Sequence, residues 1–249
     1  MNIAVCIKQT ADTESRPTLA PDGSSVAEEG LVWIINPHDE SAIEVAVRLR
    51  DEQGGTVTLV ALGPDRVESA LRQGLAMGAD FAVHLECDSI PDDPKIVAGA
   101  LANTIRTRDF DLVLTGEVAI DSAGAQVPQR LGVLLSWPCV TGVEELKVTS
   151  NGLTARHPVE QGDEIHRCNL PAIVGINRRI GEPRYPSFRG IMKAKRKSIE
   201  KEEAALEAAQ LQIASLALPA SRLEGKILDY TDGAAERVIA LLREEAKVI

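Results

Sequence analysis

Leu112-Val113-Leu114-Thr115-Gly116-Glu117-Val118-Ala119-Ile120-Asp121-Ser122-Ala123-Gly124-Ala125-Gln126-Val127 is the stretch on which the fold turns. Leu112 to Thr115 are apolar or β-branched and read as a buried strand. Gly116 breaks that strand. A run of small residues then leads into a helix expected from about Ala125 to Leu135, which Trp137-Pro138 ends. A strand that passes through a short turn into a helix is half of a parallel β-α-β unit.

The same grammar repeats upstream. Ile3 to Ile7 is a buried strand, and Asn36-Pro37-His38-Asp39 opens a helix whose apolar face carries Ile43, Val45 and Leu49. Val57 to Leu62 is the next strand, followed by a helix from about Arg66 to Met77 that Gly78 stops. Phe81 to Leu85 and a helix from Pro94 to Arg108 complete the series. Short apolar strands alternating with helices predict a doubly wound, mostly parallel α/β sheet with helices on both faces. Ligands of such sheets bind at the carboxyl ends of the strands, so the loops after residues 7, 62 and 115 are where a site is expected.

Downstream the pattern changes. Residues 143–148 and 152–157, joined through Ser150-Asn151-Gly152, read as a hairpin, and Ala172 to Ile176 as one more buried strand. From about residue 178 the chain is basic and irregular. Glu200 to Ala209 reads as a charged helix start, and residues 233–246 as a last amphipathic helix. The expected division is an α/β domain over 1–200, with any ligand site at its strand ends, and an extended C-terminal arm and helix over 201–249.

Composition narrows the function. The formal net charge is -10, which disfavours nucleic acid and anionic membrane surfaces. No apolar run approaches the roughly 20 residues of a membrane span, so no direct membrane insertion is expected. Aromatics make up 3%, too few for a base-stacking platform. The cysteines, Cys6, Cys87, Cys139 and Cys168, form no C-x-x-C pair and suit neither zinc nor an iron–sulfur cluster. No metal site is expected. Met1 to Ile7 lacks the basic region and long apolar stretch of a signal peptide, which predicts a cytoplasmic protein. No G-x-S-x-G, H-E-x-x-H or Walker P-loop is present, and the histidines are scattered, so no catalytic set is expected. In Gly116 to Val127, small residues let a backbone approach a ligand, and the helix start favours a phosphate. Gln126 can add an amide contact, and Asn36 stands at a similar strand-to-helix position. A plain α/β turn would look much the same, so nucleotide binding stays one of two readings at this level. The basic run from Arg178 to Lys197 carries Tyr185, Phe188 and Met192 among its cations, which suits docking to an acidic protein surface.

Leu170-Pro171-Ala172-Ile173-Val174, Gly181-Glu182-Pro183-Arg184-Tyr185-Pro186 and Ile191-Met192-Lys193-Ala194-Lys195 together resemble the beta subunit of electron transfer flavoproteins. So do Asn36-Pro37, Leu75-Ala76-Met77-Gly78-Ala79-Asp80, and Asp111 to Leu114 with Ala119-Ile120-Asp121, in matching order across about residues 1–200. The resemblance implies a Rossmann-like domain in a heterodimer with an alpha subunit that holds most of a redox FAD. It implies an electron carrier more than a self-sufficient enzyme, fed by flavin dehydrogenases and drained by a quinone oxidoreductase or another acceptor. It implies a structural AMP held by Cys6, by Asn36, Pro37, His38 and Asp39, by Leu62, and by Gly116 and Ile120 to Val127. It also implies a partner-recognition loop over 182–197, carried by Glu182, Arg184, Tyr185, Phe188, Met192 and Lys193. Phe188 is its apolar anchor, where the family more often has leucine. The arm is implied to pack on the alpha subunit. Ala125-Gln126-Val127 is similar to members that hold a second FAD in place of AMP and bifurcate electrons with NADH, while Ser122-Ala123-Gly124 departs from them. That alternative and a stand-alone adenine-nucleotide module remain open beside the carrier reading.

Overall fold

In the computed structural model, which describes all residues except 151, 212, 221–224, 230 and 231, the apolar runs become strands buried on both faces. The elements follow in chain order. They are β1 (Asn2–Cys6), β2 (Gln9–Ala11), β3 (Trp33–Ile35), α1 (Pro37–Gln53), β4 (Thr56–Gly63), α2 (Glu68–Met77), β5 (Phe81–Glu86), α3 (Pro94–Arg106) and β6 (Leu112–Gly116). Then come α4 (Val127–Leu135), β7 (Cys139–Val143), β8 (Glu145–Thr149), β9 (Gly152–Val159), β10 (Gly162–Cys168), β11 (Ala172–Ile176), α5 (Phe188–Ala194), β12 (Glu200–Glu203) and α6 (Ala234–Glu244).

A seven-stranded sheet runs in the order β12-β5-β4-β1-β6-β11-β7, with every pairing parallel. Alternate residues of a strand face opposite sides, and the core divides accordingly. Ile3, Val5, Leu59, Leu112 and Leu114 pack with α1 and α2 on one face. Ala4, Cys6, Val60, Leu62 and Val113 pack with α3 and α4 on the other. Each fully buried Leu or Ile contributes roughly 1.5–3 kcal/mol by leaving water. The doubly wound expectation is met.

The chain steps outward from β1 to β4 to β5, then returns through α3 to lay β6 on the other flank of β1. That reversal is the topological switch point, and the strand ends open a crevice there.

Three elements differ from the sequence reading. The charged segment expected as a helix from Glu200 is strand β12, paired with β5 from Glu200↔Val83 to Glu203↔Glu86. The open edge of β5 offers unpaired backbone groups, and satisfying them outweighs a helical preference of a few tenths of a kcal/mol per residue. Its charges blunt the new sheet edge: Lys201 pairs with Glu86 at 2.6 Å, and Arg108 pairs with Glu200 at 3.0 Å and with Glu202. β7 extends the other edge of the sheet, and β10 turns the expected hairpin into a three-stranded sheet, β10-β9-β8. The Asn151 of the expected turn lies outside the described residues. The polar excursion at 10–30 is tied down at both ends by the β2–β3 pair and carries a Leu19–Val26 bridge.

Two compact units result, Met1–Leu216 and Ala217–Ile249. The sequence reading begins the arm at residue 201, whereas residues 200–216 fold within the first unit. The second unit carries α6, which buries none of its residues. Among the described residues no helix is long and apolar enough to cross a membrane.

Candidate functional site

The crevice at the switch point is a cavity of about 400 Å³ between the ends of β1, β4 and β6. Its architecture begins with α1. Asn36 sits at the cap position of that helix, where an asparagine side chain ordinarily accepts a backbone N–H of the first turn. Here it is used across the chain. Its amide donates to the Val118 carbonyl at 2.9 Å, and its Oδ1 accepts from the Ile120 N–H at 3.2 Å. The loop after β6 is thereby pinned to the start of α1.

Asp39, one turn along, joins the strands on either side of the switch point. Its Oδ2 accepts the Lys8 N–H at 2.7 Å and its Oδ1 accepts the Gly116 N–H at 2.8 Å. Burial pushes this carboxyl up to about 7, against the pull of those hydrogen bonds and of the nearby Lys8 cation. Burial, reinforced by the Asp39 charge, also pushes the Cys6 thiol up to about 12. Cys6 is therefore an inert piece of wall, not a nucleophile.

The loop from Gly116 to Gln126 forms the opposite lip. Ala123 and Ala125 sit at φ 49° and 47°, the left-handed region, which costs a residue with a Cβ roughly 1–2 kcal/mol each. Strain of that kind persists where the surroundings hold it, and it gathers at ligand clamps. The loop runs into α4, whose start carries no side-chain cap, and Gln126, Val127 and Pro128 at that start line the cavity. Lys8 crosses the mouth to pair with Asp121 at 2.7 Å. The facing wall is a stack: the Arg66 guanidinium lies 3.5 Å over the Trp33 ring and is held by Glu28 at 3.0 Å and by Gln9 Oε1 at 2.7 Å. Below it Leu62, Ile90, Val97, Leu101 and Val127 line an apolar slot.

Of the residues expected at a nucleotide site, Cys6, Asn36, Asp39, Leu62, Gly116, Asp121, Ser122, Gly124, Ala125, Gln126 and Val127 line this cavity. Pro37, His38, Ile120 and Ala123 do not. Pro37 starts α1, His38 is buried beneath Gly116, and Ile120 and Ala123 shape the loop through the Asn36 and Ala119 carbonyl bonds. Sequence reasoning missed Lys8, Gln9, Trp33, Arg66 and the 89–94 loop. The one signal available was Trp33, a rare aromatic in this composition. Among the described residues no group of three or more His, Cys, Asp or Glu is placed to hold a metal ion.

A slot with an apolar base, a polar mouth and a small-residue loop feeding a helix start suits a nucleotide. Comparison with known proteins assigns the lineage. The model of the electron transfer flavoprotein domain matches residues 24–207. The chain is 38% identical to the electron transfer flavoprotein subunit beta of Bacillus subtilis (strain 168), over the full length of both. It is 34% identical to the subunit of the same name in Syntrophomonas wolfei, covering 100% of this chain and 98% of that one. For the Thermoanaerobacterium thermosaccharolyticum subunit the identity is 34%, over 91% and 92% of the two chains. The chain belongs to the electron transfer flavoprotein family, on its beta-subunit side.

A beta subunit of an electron transfer flavoprotein implies an alpha-subunit partner. The stretch expected to recognise other proteins stands out on this flavoprotein subunit. Tyr185 is 97% exposed and Phe188 81%, far beyond what apolar surface alone requires. Ser187 caps α5, accepting the Gly190 N–H at 3.0 Å, and Phe188, Ile191 and Met192 share one outward side of that short helix. Glu182 and Lys193 are exposed beside them. Arg184 behaves differently: its side chain turns back onto α1.

Proposed function

We propose that this chain is the beta subunit of a cytoplasmic, heterodimeric electron transfer flavoprotein that binds AMP as a structural ligand and helps cover a FAD held mainly by the alpha subunit. The observation that carries the nucleotide is the switch-point crevice, with its strained small-residue loop aimed at a helix start. Its volume of about 400 Å³ lies near the lower end of the range for small-molecule sites, which favours a mononucleotide over a second FAD. The slot of Leu62, Ile90 and Val97 would take the base, and the Ser122–Val127 loop with Lys8 the phosphate. FAD, when bound by the heterodimer, supplies the redox chemistry; the residues of this chain bind, shield and dock. The exposed Tyr185–Phe188–Met192 ridge, set among Arg189, Lys193 and Lys195, is the surface offered to an acidic flavin dehydrogenase. Electrons then leave to a quinone oxidoreductase or another acceptor. Residues 217–249, with the apolar side of α6 uncovered, are assigned to the alpha subunit.

Nucleotides released from the purified heterodimer and identified by mass test the first half. A single FAD with a single AMP is expected. Two FAD molecules would replace the carrier reading with electron bifurcation, and a monomer carrying ATP would replace both. The second half is tested by Phe188→Ala. Losing an interfacial anchor should raise the KM for the dehydrogenase about tenfold and leave FAD content unchanged. Unaltered transfer would mean that Phe188 anchors nothing.

A further inference from the structure

Arg184 lies inside the segment proposed to dock, and four of its bonds run back to helix α1 of its own chain. Its Nε and Nη2 grip the two oxygens of Glu44 at 2.7 and 3.1 Å, and its backbone N–H donates to the same carboxylate at 3.1 Å. Its Nη1 reaches Asp51 at 3.2 Å. Both acids stand on α1, and the Glu44 side chain is only 16% exposed. A two-pronged arginine–carboxylate pair with a backbone bond fixes an angle as well as a distance.

The far end of the segment is held in the same fashion. Arg72 of α2 donates to the Ala194 carbonyl at 2.8 Å and to the Lys197 carbonyl, while pairing with Glu68 at 2.9 Å. Lys197 donates in turn to the Ala79 carbonyl at 2.6 Å. Between the two clamps Gly190 rests on α2; a Cβ there would come within 2.6 Å of the Ala76 carbonyl oxygen. Helix α5 is a 7-residue helix, far below the length at which helices hold by themselves in water. Its conformation therefore depends on these anchors together with the Ser187 cap and the burial of Ala194.

We propose that Arg184 is a positioning residue which, with Arg72 at the other end, holds Tyr185, Phe188 and Met192 in the docking pose before the partner arrives, and does not touch the partner. This rests on the docking role assigned above to the ridge. A preformed pose spares the complex the cost of ordering the segment. If release lowers the docking-competent population to about one molecule in ten, the apparent affinity falls about tenfold.

The test uses the complete heterodimer and a purified flavin dehydrogenase that reduces the wild type. Arg184→Gln should raise the KM for the dehydrogenase about tenfold at unchanged kcat, and speed hydrogen exchange of the 185–194 amides. Glu44→Gln, which leaves Arg184 in place, should do the same, and Arg184→Lys should recover part of the loss. A KM that rises for Arg184→Gln and stays put for Glu44→Gln, with exchange unchanged, would make Arg184 a partner contact and overturn the proposal. Faster exchange with an unmoved KM would overturn it also. Phe188→Ala separates the premise: if that variant and Arg184→Gln both leave KM unmoved, the docking role itself falls, and this proposal with it.

Discussion

Gly116→Ala is expected to destabilise the chain by about 3 kcal/mol and, on the proposed function, to cost the crevice its nucleotide. Gly116 ends β6, paired with Ile176 of β11 on one side and donating its N–H to Asp39 on the other. An added methyl would lie 2.4 Å from Asp39 Oδ1, 2.7 Å from the His38 Cβ and 3.1 Å from the Asn36 amide nitrogen. All three atoms belong to the cap and first turn of α1, and two are the groups that pin the crevice loop. The methyl cannot be housed by rotating one flexible side chain; α1 or β6 must move, and the Lys8–Asp39–Gly116 bridge opens with it. In a chain of this size 3 kcal/mol corresponds to a fall of roughly 10 °C in Tm. Gly124→Ala is the control within the same loop, because a Cβ there meets nothing within 4 Å. Calorimetric unfolding of the two variants should differ by nearly the whole effect. Equal midpoints would show that β6 and α1 are not held as tightly as the bridge implies.

That bridge also explains how much of the site could be read from the chain. Strands buried on both faces are continuous apolar runs, so β1, β4, β6 and β11 announce themselves, and their order implies the switch point. The loops at their ends follow. What composition cannot convey is what a side chain is spent on. Asn36 and Asp39 read as ligand contacts, yet their polar atoms are consumed in holding the lips together. Arg184 reads as one more surface cation until Glu44 and Asp51 appear beside it. The Trp33–Arg66 wall joins segments more than thirty residues apart, a pairing with no local period to betray it. Strand β12 fails for the opposite reason: Glu200-Lys201-Glu202-Glu203 has a helical composition, and only the waiting edge of β5 makes it a strand. Helix α5 was within reach, since Ser187 stands as a cap before apolar residues at helical spacing.

Asp39→Asn should reveal the charge at the centre of the site through its pH dependence. The folded-state carboxyl is raised to about 7, well above the roughly 3.9 of an unfolded chain. A raised acid binds its proton more tightly when folded. Its contribution is therefore most favourable below the unfolded value and is lost as pH climbs through the folded one. Between pH 5 and pH 8 the wild type should lose about 2 to 3 kcal/mol relative to a variant that cannot ionise there. The asparagine itself exacts a constant cost. Both oxygens of Asp39 accept backbone N–H groups, so one of them becomes an NH₂ facing a donor, at about 1–3 kcal/mol. Asp39→Asn should thus be the weaker protein at pH 5 and draw level with the wild type, or pass it, by pH 8. Denaturant unfolding across that range reads the crossing directly. A difference that stays flat would mean the two N–H groups keep the carboxylate ionised throughout. In that case burial does not govern this group, and the bridge between β1 and β6 rests on a permanent buried charge.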